Sequence, residues 1–163
     1  MQSGNQHARL STLYTLLAGL QAGVLGGLLM LLALSLLSLR HGRSFWNAAN
    51  LFATVFYGEE ALRRGFRFAT LSGAAFHLVV SASFGMAFAA ATQWTENRLL
   101  LRSLAIVAAL AWYFACDLWL WHRWTPFLPM YTYRVDMIAA HVLFALLLGS
   151  HPYYRRSLVI ANH

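Results

Sequence analysis

Three side chains set in long apolar runs carry most of the chemistry this sequence has to offer: His77, Asp117 and His141. An ionisable group at the centre of a membrane-length run costs at least about 2.5–3.5 kcal/mol, so it is normally paired, turned into a bundle, or functional. Two imidazoles and a carboxylate allow three readings. His77 and His141 are the right residue type for axial ligands of a b-type haem, whose iron accepts a neutral imidazole from each face. His77, Asp117 and His141 together suit a proton relay or a quinone site, because an imidazole exchanges protons near neutrality with a carboxylate held beside it. In the third reading all three only fix the register of a bundle, bonded to one another, to Ser81 or Tyr113, or to backbone carbonyls. Interhelical bonds of that kind contribute about 0.6 kcal/mol each on average.

The elements that position them are helices of membrane length. The chain of 163 residues is 60% hydrophobic and only 10% charged. A soluble domain carries about 25% charged residues, so the deficit points to several spans. Apolar runs place transmembrane helices at about 13–37, 68–91, 103–121 and 135–150. The fold class expected is an all-α integral membrane protein, one domain over 1–163. The first run is too long for the core of a cleaved signal peptide, which is 7–15 residues, and reads as a retained helix.

Between the first two spans, 44–57 reads SFWNAANLFATVFY. Asn47, Asn50, Thr54 and Tyr57 recur at steps of 3, 4 and 3, which puts them on one helical face. Fourteen residues are too few to span, so the segment is expected to lie in the interface as an amphipathic helix, with Ser44 as N-cap. A re-entrant segment is the alternative. Gly58 breaks the pattern, and Glu59-Glu60 stand four residues before Arg63 and Arg64, the favourable order for surface ion pairs.

Small residues mark the packing faces. Gly19, Gly23 and Gly27 form a GxxxGxxxG seam on the first span. A second seam, Gly73, His77, Ser81, Gly85 and Ala89, runs down the second, with a histidine set into it. Small-xxx-small seams let membrane helices approach closely, within a bundle or between proteins. Gly73 and Ser81 on either side of His77 are expected to leave room for a flat macrocycle.

Threaded as alternating spans, the second and fourth run in the same direction. His77 then lies about 13 Å and His141 about 9 Å from the same end, at 1.5 Å per residue. Asp117 approaches that end from the third span, near Trp112, Trp119, Trp121 and Trp124, which read as an aromatic belt. Pro126 and Pro129 stop the third helix, and His151-Pro152 ends the fourth. His7, His41, His151 and His163 read as surface residues.

All twelve basic residues are arginine, a usage expected of high-GC bacterial coding. They cluster at the ends of the apolar runs, where they anchor at headgroups, so the net charge of +7 argues for a lipid bilayer and not for nucleic acid. The single cysteine, Cys116, permits no internal disulfide, and the chain has no CxxC or Cys/His zinc spacing. Hydrolase, ATPase and dehydrogenase motifs are absent: no GxSxG, Walker loop, HExxH or GxGxxG.

The expectation is therefore a multi-pass protein of the bacterial inner (cytoplasmic) membrane. Its leading role is a small non-catalytic subunit or assembly factor that packs against other membrane protein subunits, such as those of an electron-transfer complex. The alternatives are a haem b electron carrier using His77 and His141, or a proton or quinone site using His77, Asp117 and His141.

Overall fold

A computed structural model of the chain describes residues 2–63 and 65–160, with side chains from Leu10 onward. Arg64, His163 and the side chain of His7 therefore lie outside the described residues. Among the described residues there are helices and turns and no strand. Four helices are long and apolar enough to cross a membrane: Leu10–Arg40, Phe68–Thr92, Arg98–Trp124 and Arg134–Ile160.

The first helix, α1 (Gln2–Arg40), includes the polar N-terminal stretch. After a turn through Gly42 come α2 (Asn47–Tyr57) and a short 3₁₀ helix, Gly58–Leu62. Gly58 ends α2 with a φ of 55°, a left-handed value that glycine adopts without steric cost. Then α3 (Phe68–Thr92) runs antiparallel to α1. The next helix, α4 (Arg98–Ala115), is started by Asn97, whose side chain accepts from the Leu99 and Leu100 amides at 3.0 and 3.2 Å.

The third span does not end where its α-helical pattern ends. A π segment, Cys116–Leu120, carries it into α5 (Trp121–Trp124) and, past Pro126, α6 (Phe127–Tyr131). The last span is α7 (Arg134–Leu148) followed, after a two-residue turn, by α8 (His151–Ile160). The α7 helix stops just before His151-Pro152, and the chain then continues as a further helix. Pro152 falls in the first turn of α8, where a missing N–H costs nothing, and α8 packs against α1. His151 is buried, not a surface residue, its ring edge-on to Phe88.

The glycine seams explain the tightest contact. A methyl group at Gly19 would meet the backbone of Gly85 and Met86, and one at Gly27 would lie 2.7 Å from Ser81 Cβ and Oγ. Gly19 against Gly85 and Gly23 against Ser81 step in opposite directions by four residues, the register of two antiparallel helices in backbone contact. The seams of α1 and α3 are thus joined to each other within the bundle. Gly73 departs from this pattern: it faces the backbone of Ala49 and Ala53 on α2. Gly26, beside the α1 seam, seats the ring of Phe144 on α7.

The helix α2 is enclosed, with Ala48 through Thr54 all buried. Of the polar face expected toward water, Asn50 and Thr54 point into the protein, while Tyr57 at the end of the helix stays exposed. Asn50 donates to the carbonyls of Arg63 and Gly65 at 3.2 and 3.3 Å and accepts from Thr70 at 2.6 Å. Thr54 and Thr125 share a hydrogen bond of 2.7 Å. The physical reason is the alanine content of the helix: Ala48, Ala49 and Ala53 let its backbone close on α3. Ser44 does not cap α2; its hydroxyl accepts from the Trp46 amide, one turn earlier.

Candidate functional site

The long helices stand in a row, with α1 against α3 and α7, and α7 against α4. The row curls so that its two ends, α3 and α4, face each other without close backbone packing. They approach through side chains, the rings of Phe84 and Trp112 being 5.6 Å apart. Between them is a narrow gap, open on one side, with a cavity volume of about 50 Å³. His77 and His141 both line it, from α3 and α7.

Each histidine is held by a backbone carbonyl. His77 Nε2 lies 3.0 Å from the Gly27 carbonyl oxygen, across the α1–α3 seam. Its ring stacks on Phe52 of α2, with centroids 4.5 Å apart and planes 21° apart. His141 Nδ1 lies 2.7 Å from the carbonyl of Met137, one turn earlier in α7, and its ring tilts against Tyr113. A carbonyl can only accept, so the bonded nitrogen carries the proton. In the neutral rings this leaves lone pairs on His77 Nδ1 and His141 Nε2. The two residues are only 6% and 7% exposed.

Asp117 is placed apart from them. It is 8% exposed and does not line the gap. Its nearest cation is Arg134, with 3.7 Å between Nε and Oδ2, an ion-pair distance too long for a hydrogen bond. Among the described residues no group of three His, Cys, Asp or Glu side chains comes together as a metal site. Two other acids at this end, Asp136 and Glu60, are also paired. Asp136 meets His41 at 2.8 Å, joining the end of α1 to the start of α7. Glu60 pairs with Arg63, three residues on and not four. Arg43 donates to the Tyr131 carbonyl.

The π segment shapes the wall opposite α3. Trp121 follows Cys116 by five residues, which on an α-helix would set the two about 140° apart. In the wider turn the Trp121 amide reaches the Cys116 carbonyl. Tyr113, Cys116 and Trp121 then all face the gap, while Trp119 and Trp124 remain exposed. So the expected tryptophan belt is divided. Trp112 and Trp121 belong to the gap, with Trp112 at its mouth and 38% exposed. Insertions of this type recur at functional sites.

Sequence reading brings forward His77, Ser81 and His141, which do line one space, but it misses Phe52, Trp112 and Trp121 as walls and the Gly27 carbonyl as the His77 partner. The room expected beside His77 at Gly73 is filled by α2, and Ser81 lies against Gly27. For Phe52 the available signal is the alanine-rich face of α2, which marks close packing better than its asparagines mark water.

No family model, curated protein or solved structure matches the chain.

Proposed function

We propose that this is a small, non-catalytic, multi-pass protein of the bacterial cytoplasmic membrane that takes one edge of a flat, ring-bearing, lipid-soluble ligand between α3 and α4, the rest of the ligand lying in the bilayer. Haem b and a quinone are the two ligand kinds its residues suggest. The observation that carries the reading is that His77 and His141, from two helices, line one aromatic-walled gap at the end of the helix row where α3 and α4 fail to pack. Sites for small molecules are mostly apolar, with a few placed polar groups, and this gap has that composition. Its rim residues Phe76, Val80 and Phe84 are half-buried, so in a bilayer the opening would face acyl chains and not water. The glycine seams, joined inside the bundle, do not themselves argue for a partner protein.

The test is an absorption spectrum of the purified, detergent-solubilised protein, air-oxidised and then dithionite-reduced, with mass spectrometry of its organic extract. A Soret band that shifts on reduction, or a stoichiometric ring compound in the extract, is the expected result. Well-folded protein carrying only bulk phospholipid would overturn the reading.

A further inference from the structure

Toward the opposite end of the bundle from the gap, arginines collect with little acid to balance them. Arg98 and Arg102 stand on α4, Arg155 and Arg156 on α8, and Glu96 just precedes α4. Arg156 pairs with Glu96 at 2.6 Å, and Arg155 donates to the neutral Ser11 hydroxyl at 2.9 Å. Arg98 and Arg102 find no hydrogen-bond or ion-pair partner among the described residues. Spaced four apart, they share one face of α4. That face meets the turn before α8 in a groove with a cavity volume of about 160 Å³, lined by Arg98, Arg102 and Arg156. Gly149 in the turn allows the approach. A Cβ there would lie 3.3 Å from Arg102 Cα and Cγ, so the arginine stem rests on bare backbone at the groove wall.

We propose that this groove binds the phosphate of an anionic phospholipid, held chiefly by Arg98 and Arg102. Guanidinium forks match phosphate oxygens in pairs, which a point charge does not. Glu96 lines the same groove and repels an anion, but Arg156 offsets it, whereas nothing offsets the two arginines of α4. A neighbouring groove of about 340 Å³ shares Glu96 and Arg156, but its further arginine, Arg155, is tied to Ser11. Charge therefore favours the smaller groove. Its level favours a lipid over a soluble phosphate. The groove lies where α3 has ended at Thr92 and α4 begins at Arg98, the turn between two helices of membrane length and so the depth of headgroups. Leu99, next to Arg98, and Tyr153, in the groove wall, are 76% and 71% exposed, which gives glycerol and the first acyl carbons an apolar rim. Basic pockets between membrane helices take phosphate-bearing headgroups in this way.

The full chain in detergent micelles is titrated with phosphatidylglycerol, and separately with phosphatidylcholine of the same acyl chains, with bound lipids counted by mass spectrometry of the intact protein. One phosphatidylglycerol per chain should bind in preference to phosphatidylcholine. Arg98→Gln and Arg102→Gln should each weaken it about fivefold, the effect of one arginine beside an anionic lipid, and the double variant about 25-fold. Both side chains are exposed, so these variants should unfold at the wild-type temperature. Arg155→Gln removes the same charge at the same end but outside the groove, and should change the affinity by about twofold or less. Equal losses in all three single variants, or equal binding of the two lipids, would overturn the site and leave only a diffuse surface charge. Inorganic phosphate bound by the lipid-free protein as tightly as phosphatidylglycerol, and lost in the double variant, would overturn the lipid as its occupant.

Discussion

The two sides of α3 solve opposite problems. On one side Ser81 and Gly85 bring its backbone against Gly19, Gly23 and Gly27 of α1. On the other side Phe76, Val80 and Phe84 hold it away from α4. Lipid tails are as apolar as leucine, so in a bilayer helices associate through close packing and polar bonds, not through hydrophobic burial. Small residues supply that packing on the α1 side. Ring residues on the α4 side prevent it and leave a space. His77 lies between the two faces, bonded into the seam at Gly27 and exposed to the gap. A closed contact and a cavity thus come from side-chain size alone, a few ångströms apart on one helix.

Disruption should cost most at the seam. Gly85→Leu would drive a side chain into the Gly19 carbonyl and the Gly23 backbone. It should destabilise the fold by about 3 kcal/mol, the upper end of overpacking effects, measured by unfolding in mixed micelles. A near-neutral result would mean that α1 and α3 are not in backbone contact. Next is the knot that seats α2 on the same helix. Asn50→Ala would leave the Arg63 and Gly65 carbonyls and Thr70 short of a partner. A loss of about 1–3 kcal/mol is expected by the same assay, whereas an interfacial helix with Asn50 in water would show almost none. His77→Phe should have the smallest effect. It keeps a ring on Phe52 and loses one bond to Gly27, so about 0.6 kcal/mol is expected, with about 1.7 as the ceiling for such bonds.

The long helices are legible in the sequence because an apolar run of membrane length is a local property. The α1–α3 seam is legible for the same reason: a four-residue step of small residues shows on each helix separately. The placement of α2 is not, because the partners of Asn50 are backbone carbonyls thirteen and fifteen residues away, which residue identity does not advertise. The π segment is equally hidden, since CDLWL carries no glycine or proline to mark it. That turn is what decides which tryptophans face the gap. Asp117 illustrates the limit of counting depth along helices. It belongs to the same end of the bundle as the histidines, yet it turns to Arg134 and not to the gap. Depth along a helix follows from sequence, but direction around it depends on neighbours.

If the space between α3 and α4 is an occupied site and not a packing defect, its ligand travels with the protein. Mass spectrometry of the intact protein, released from native membrane in nanodiscs, tests it most directly when wild type is compared with Val80→Trp. One small ring-bearing molecule per chain is expected in the wild type and none in Val80→Trp, whose indole would fill the gap, with both proteins equally folded. Identical bound species in the two proteins, or phospholipid alone in both, would contradict it.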